Sequence, residues 1–174
     1  MTEITGLDTI QDNNATWAIS LEGALVSRLQ NSHNMPQGDE FDRAISTAAR
    51  ILSHCPNPND NNPRRTTVLA LGRIQSGKTA SYTALIGLAI QSGYKTIIVL
   101  AGTTNEILNQ TLVRLNDLGS YQQDMSSTMH LFTNNLGNNQ RELIRTIIER
   151  QGHTVLIVAI KRNVHRIIVL INSR

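Results

Sequence analysis

Hydrophobic positions along the chain fall into two kinds of pattern. Trp17, Leu21, Leu25 and Leu29 recur every four residues, the spacing of one helix face, so a helix is predicted over 16–30. Phe41, Ile45, Ala48 and Leu52 stripe a second predicted helix, which opens with Asp39 as its N-cap and runs to about His54. Between them, 31–38 reads as a linker with Pro36 and Gly38. Residues 56–63 hold Pro56, Pro58 and Pro63 among asparagines, which excludes both helix and strand and predicts a loop. Residues 1–15 are polar and without period.

Beyond the loop the pattern changes. The apolar run 68–71, behind Thr66 and Thr67, predicts a buried strand. Residues 80–90 are almost all small or apolar and predict a helix stopped by Gly93, and the β-branched run 95–101 predicts a second strand. Leu108, Leu112 and Leu115 predict a helix to about Leu118 with Gly119 as its terminator. After a loop at 120–127, a short strand is predicted at 129–133. Asn139 and Glu142 have the spacing of a capping box, and Leu143, Ile144, Ile147 and Ile148 stripe a helix ending at Gly152. Residues 154–160 predict a fully apolar strand, and 161–174 begin another helix with Val164, Ile167, Ile168 and Ile171 on one face. Alternating strands and helices imply an α/β fold with a mostly parallel sheet covered on both faces. The loop at 56–63 is the predicted boundary between an acidic helical segment, 1–63, and the α/β part, 64–174.

The chemistry is concentrated at the junction of the first predicted strand and the helix after it. Gly72-Arg73-Ile74-Gln75-Ser76-Gly77-Lys78-Thr79 satisfies G-x-x-x-x-G-K-[ST] at every fixed position, in the order strand, glycine loop, helix, strand that a phosphate-binding βαβ unit requires. Gly72 and Gly77 let the backbone bend so that its N–H groups point at phosphate oxygens. The helix beginning near Lys78 adds the positive end of its dipole. Lys78 is expected to reach the β- and γ-phosphates, and the Thr79 hydroxyl to sit on Mg²⁺, with Ala80 closing the loop. A nucleotide-binding P-loop for ATP and Mg²⁺ is therefore predicted over Gly72 to Ala80, in an incomplete P-loop NTPase-like core. The competing structural reading is a glycine turn with an incidental lysine.

Composition narrows the partners. Charged residues are only 17% of the 174, and seventeen asparagines supply much of the polarity. With six aromatic residues, a base-stacking platform for single strands is disfavoured. The net charge of +3 hides an asymmetry: residues 1–63 carry three Arg against eight acids, and 64–174 thirteen Lys and Arg against five acids. The basic half holds the phosphate loop, so a polyanion, DNA included, is electrostatically reasonable there. Lys161, Arg162 and Arg166 are further candidate phosphate contacts. The single cysteine, Cys55, excludes an intrachain disulfide and reads as a small hydrophobe at a helix end rather than a nucleophile. The five histidines are dispersed without ligand spacing and read as surface or core residues. No apolar run reaches membrane-spanning length and no secretion signal stands at the N-terminus, so the expected site is the cytoplasm with no membrane partner.

Two resemblances rest on these residues. The spacing from Thr79 to Thr104-Asn105-Glu106-Ile107-Leu108-Asn109-Gln110 resembles the first two motifs of superfamily-two helicases, in which a Thr-Arg-Glu-Leu-Ala-x-Gln segment touches the nucleic-acid backbone. Asn105 stands where those enzymes carry Arg. The chain is more similar to the Z-one domain, found in bacterial proteins assigned as endonucleases and associated with restriction and phage defence. The similar stretches are Gly72 through Ala80, Leu85-Ile86, Gly93-Tyr94-Lys95, Ile97-Ile98-Val99-Leu100-Ala101-Gly102-Thr103 and Gln110-Thr111. Val158-Ala159-Ile160-Lys161-Arg162-Asn163 resembles that family's Val-Val-Lys-Lys-Asn stretch.

The resemblance implies a helicase-like ATPase core coupled to DNA transactions, with Thr103, Thr104, Asn105 and Gln110 as nucleic-acid contacts. It also implies an acidic pair at the end of a later strand. Here no apolar run ends in Asp or Glu: Asp117 and Asp124 lie in polar segments and Glu149 on an amphipathic helix. The chain accordingly reads as the front portion of a larger protein, able to bind Mg-ATP but poor in hydrolysis, with any DNA-cutting residues outside it. Two other readings stand beside this one. A small nucleotide or metabolite kinase would need an arginine-bearing lid, and none is recognisable between Gly119 and Gly152. A truncated, non-catalytic fragment would leave an exposed sheet edge.

Overall fold

The computed structural model describes residues 17–61, 66–70, 78–119, 128–133 and 138–159. Among the described residues there are five helices and three strands: α1 (Ala24–Gln30), α2 (Asp39–Ser53), α3 (Lys78–Gln91), β1 (Thr96–Leu100), α4 (Asn105–Gly119), β2 (Thr128–Phe132), α5 (Asn138–Glu149) and β3 (His153–Ala159). The strands make a parallel sheet in the order β1-β3-β2, so the fold is α/β with the parallel pairing that the alternation predicted. Packing divides the chain into two compact units, Met1–Ser92 and Gly93–Arg174. That division falls one helix later than the change in composition at residue 63.

In the first unit α3 packs against both α1 and α2. The stripe predicted for α2 is buried as expected, with Phe41, Ile45, Ala48 and Leu52 all at 4% exposure or less. Its start differs from expectation: Asp39 is the first helical residue and Gly38 is the N-cap, with no side-chain cap. The Gly38 carbonyl accepts from the Phe41 and Asp42 N–H groups, and Asp39, Glu40 and Asp42 occupy the first turn, where the helix dipole favours them without a capping bond. Helix α3 is apolar on nearly every side, with Ala84, Leu88 and Ile90 buried, and it ends before Gly93 at φ 95°.

The helix expected over 16–30 is present only from Ala24. The residues before it are held by other partners. Trp17 Nε1 donates to the Cys55 carbonyl at 2.8 Å, and Gln91 Nε2 donates to the Ser20 and Glu22 carbonyls at 3.2 and 3.0 Å. The Ser20 hydroxyl also accepts from the Glu22 N–H. Local and tertiary bonds thus take the groups a helical ladder would need. Gly23 makes the corner at φ 151°, where a Cβ would run into Oε1 and Cδ of Gln91. Gly23→Ala is expected to lower stability by about 1–3 kcal/mol, from backbone strain and displacement of the Gln91 amide. Thermal unfolding beside Gln91→Ala checks this, and an unchanged melting temperature would refute it.

The strand predicted at 68–71 is not found. Residues 66–70 carry no regular structure and are exposed throughout, Leu69 at 80%; Leu71 lies outside the described residues. An apolar run becomes a strand only where a ladder and a covering layer receive it, and no described residue pairs with this one. The predictions for 1–15, 120–127 and 161–174 also fall outside the described residues.

The second unit follows the expected alternation. Central β3 pairs with β1 from Thr96↔Val155 to Leu100↔Ala159, and with β2 from Thr128↔His153 to Phe132↔Ile157. Every residue of β3 after His153 is buried, as a central strand of a parallel sheet demands. On one face Val155, Ile157 and Ala159 pack with Phe132 and with Ile144 and Ile147 of α5. By alternation Leu156 and Val158 point to the other face and are equally buried; α4 is the other helix against β2 and β3, with Leu108, Leu115 and Leu118 buried. The predicted capping box at Asn139 is displaced, because α5 already begins at Asn138. With Asn134, Asn135, Asn138 and Asn139 all available, residue type alone does not choose the cap.

Candidate functional site

The candidate phosphate loop leads into α3. Lys78 and Thr79 are its first two residues, and Ala80, at 8% exposure, is the first whose side chain is described as buried. The loop residues Gly72, Arg73, Ile74, Gln75, Ser76 and Gly77 lie outside the described residues. Lys78 and Thr79, the last two fixed positions of the motif, are thus helical.

The candidate nucleic-acid residues belong to the second unit, at the exit of β1. Gly102 turns the chain at φ 97°, with the Ile107 Cγ2 atom only 3.1 Å from where a Cβ would stand. Thr103, Thr104 and Asn105 follow, all exposed, and Gln110 is exposed farther along α4. The Thr104 hydroxyl accepts from the Ile107 N–H at 3.4 Å, and its carbonyl accepts from Leu108, so Thr104 serves as the cap that starts α4. The Glu106 carboxyl is held below its usual range by its own backbone N–H and by the Thr104 side chain. Thr111, by contrast, is buried and its hydroxyl donates to the Ile107 carbonyl at 2.8 Å. Thr103, Thr104 and Asn105 are thus gathered at one turn at the carboxyl end of a parallel strand, the end at which open α/β sheets hold ligands.

The strands end in Leu100, Phe132 and Ala159, so none of the three closes on a carboxylate. Among the described residues no group of three or more His, Cys, Asp or Glu is placed to hold a metal ion. Lys161, Arg162 and Arg166 lie outside the described residues. Cys55 sits just beyond α2, where burial pushes its thiol above the ordinary value and Sγ approaches the Ile51 carbonyl at 3.6 Å. That is the environment of a packed thiol rather than an activated nucleophile.

One pairing has no signal in the sequence. His130 and His153, 23 positions apart, meet across β2 and β3 with Nε2 and Nδ1 3.1 Å apart. No local spacing rule connects them; only the strand register does. Among the described residues no helix is long and apolar enough to cross a membrane. Compared with known proteins, the chain matches no family model, no curated protein and no solved structure.

Proposed function

We propose that the chain binds a nucleoside triphosphate, ATP with Mg²⁺, at the loop Gly72 to Ala80 of a helicase-like P-loop module. The observation that carries this reading is an octet that fulfils every fixed residue of the phosphate-binding pattern, with its last two residues, Lys78 and Thr79, in helix α3. Backbone N–H groups of the first helical turn, the helix dipole and the Lys78 ammonium then converge on one anion. The Thr79 hydroxyl is the Mg²⁺ contact, and none of the three described strands ends in an acid that would add a ligand to it.

The Z-one resemblance extends the reading to DNA. Thr103, Thr104, Asn105 and Gln110, exposed on and beside the turn after β1, are the residues assigned to its backbone. The partners this reading implies are other components of a restriction or phage-defence system. Hydrolysis is expected to be poor, because phosphoryl transfer depends on positioned charge and the ends of the three described strands carry none. A non-catalytic reading is favoured by one observation, the exposure of residues 66–70, since a phosphate loop normally hangs from a paired strand.

The test is titration of the chain with a fluorescent ATP analogue, with and without Mg²⁺, and competition by unlabelled ATP. Saturable, competed binding that tightens with Mg²⁺ is the expected result. No saturation up to about 1 mM, a binding free energy of only about −4 kcal/mol, would leave the non-catalytic reading.

A further inference from the structure

We propose that His130 and His153 form a single-proton latch that holds the edge strand β2 to β3 at neutral pH and releases it when both rings are protonated. The geometry is specific. The ring planes are inclined by only 19° and the centroids lie 5.4 Å apart, while the facing nitrogens lie 3.1 Å apart. The contact is therefore end-on, nitrogen to nitrogen, rather than face to face. The register places Thr128 opposite His153 and His130 opposite Val155, so the histidines are diagonal neighbours, a separation that long side chains bridge. Strand alternation puts His130 on the face of Phe132 and His153 on that of Val155 and Ile157, the face that α5 covers.

Three protonation states follow from this contact. With both rings neutral, one N–H donates to the other ring's lone pair. With one extra proton, an imidazolium donates to a neutral imidazole, a charge-assisted bond stronger than the first. With two extra protons both facing nitrogens carry hydrogen and positive charge, and the bond becomes a repulsion. The facing nitrogens stand at ordinary hydrogen-bond distance. The spacing suits a proton.

The surroundings oppose the second proton. His130 is held below its ordinary value by burial first, then by the charge of His153 and by that of Arg150, in the turn after α5. Other charged groups on the packed elements, among the described side chains, are Arg141, Glu142, Arg145 and Glu149 on α5 and Glu106 and Arg114 on α4; none of these six is among the causes of the His130 shift. A base depressed in the folded state contributes stability that is present above its unfolded value, about 6.5, and lost as pH falls through the folded value. The unfolded chain binds more protons in that window, so stability must fall with acid. β2 is exposed to this loss because it is five residues long and pairs with β3 alone among the described strands.

The test follows the ring nitrogens of the ¹⁵N-labelled chain by NMR from pH 8 to 4.5, with hydrogen-exchange protection of the Met129–Phe132 amides read in parallel. The latch requires two separated protonation steps shared by the pair, with protection of β2 falling at least tenfold across the second step alone. Two rings titrating independently near the ordinary histidine value would overturn it, and so would β2 protection that stays flat. His153→Phe keeps the apolar face and removes the pair; it should abolish the pH dependence of β2 protection. Retention of that dependence would also overturn the latch. If the variant does not fold, the wild-type ring titration decides alone.

Discussion

Lys78→Ala is expected to weaken binding of the Mg-ATP analogue by about 10- to 100-fold. A hydrogen bond to a charged group contributes about 1.5–3 kcal/mol, and every 1.4 kcal/mol is a factor of ten in affinity. The fold should survive, because Lys78 opens α3 and alanine is the strongest helix former; circular dichroism of both chains checks this. An affinity unchanged by the substitution would show that the octet is a glycine turn with an incidental lysine. Hydrolysis supplies the second arm. With Leu100, Phe132 and Ala159 closing the three described strands, turnover is expected near background in the wild type. ATPase activity on the order of 1 s⁻¹, lost in Lys78→Ala, would overturn that expectation while supporting nucleotide binding.

The parts of the fold that were legible in the sequence are those where one local pattern and its tertiary use agree. The α2 stripe, the apolar helix α3 stopped by Gly93, and β1 and β3 were readable because hydrophobic period, length and terminator all say the same thing. The failures share a cause. At 17–23 the four-residue spacing of Trp17 and Leu21 is helical, yet Gln91, 69 and 71 positions away, takes the Glu22 and Ser20 carbonyls. At 68–70 a run that reads as a strand has no ladder to join among the described residues. Each outcome turns on a partner outside the local run, present in the first case and lacking among the described residues in the second, which periodicity does not see. The His130–His153 contact is the same lesson at a candidate site: 23 positions separate the rings, and only the β2–β3 register brings them together. The phosphate-loop pattern is of the opposite kind, since its eight positions are consecutive in the sequence and need no distant partner to be read.

The largest stability effect is expected in β3. Ile157→Ala should cost about 3–4 kcal/mol, within the range for burying a cavity at an isoleucine site. Ile157 is fully buried and lies opposite Ile98 on one side and Phe132 on the other. It also touches the cluster that α5 contributes through Ile144 and Ile147. Removing it empties a point where three strands and one helix meet, and the central strand has least freedom to collapse into the gap. Leu143, on α5 but 51% exposed, is the matched control, for which alanine should change stability by no more than about 0.5 kcal/mol. Urea unfolding followed by far-ultraviolet circular dichroism separates the two, because at a slope of about 1–3 kcal/mol per molar the first substitution moves the midpoint by a molar or more and the second barely moves it. Equal shifts would mean that β3 is not the centre of the sheet. A domain is stable by only about 5–15 kcal/mol, so Ile157→Ala removes a large share of what holds the β1-β3-β2 sheet together. The turn carrying Thr103, Thr104 and Asn105 depends on β1 staying paired with β3, and any DNA contact made there should weaken in the same variant in proportion to the fraction unfolded.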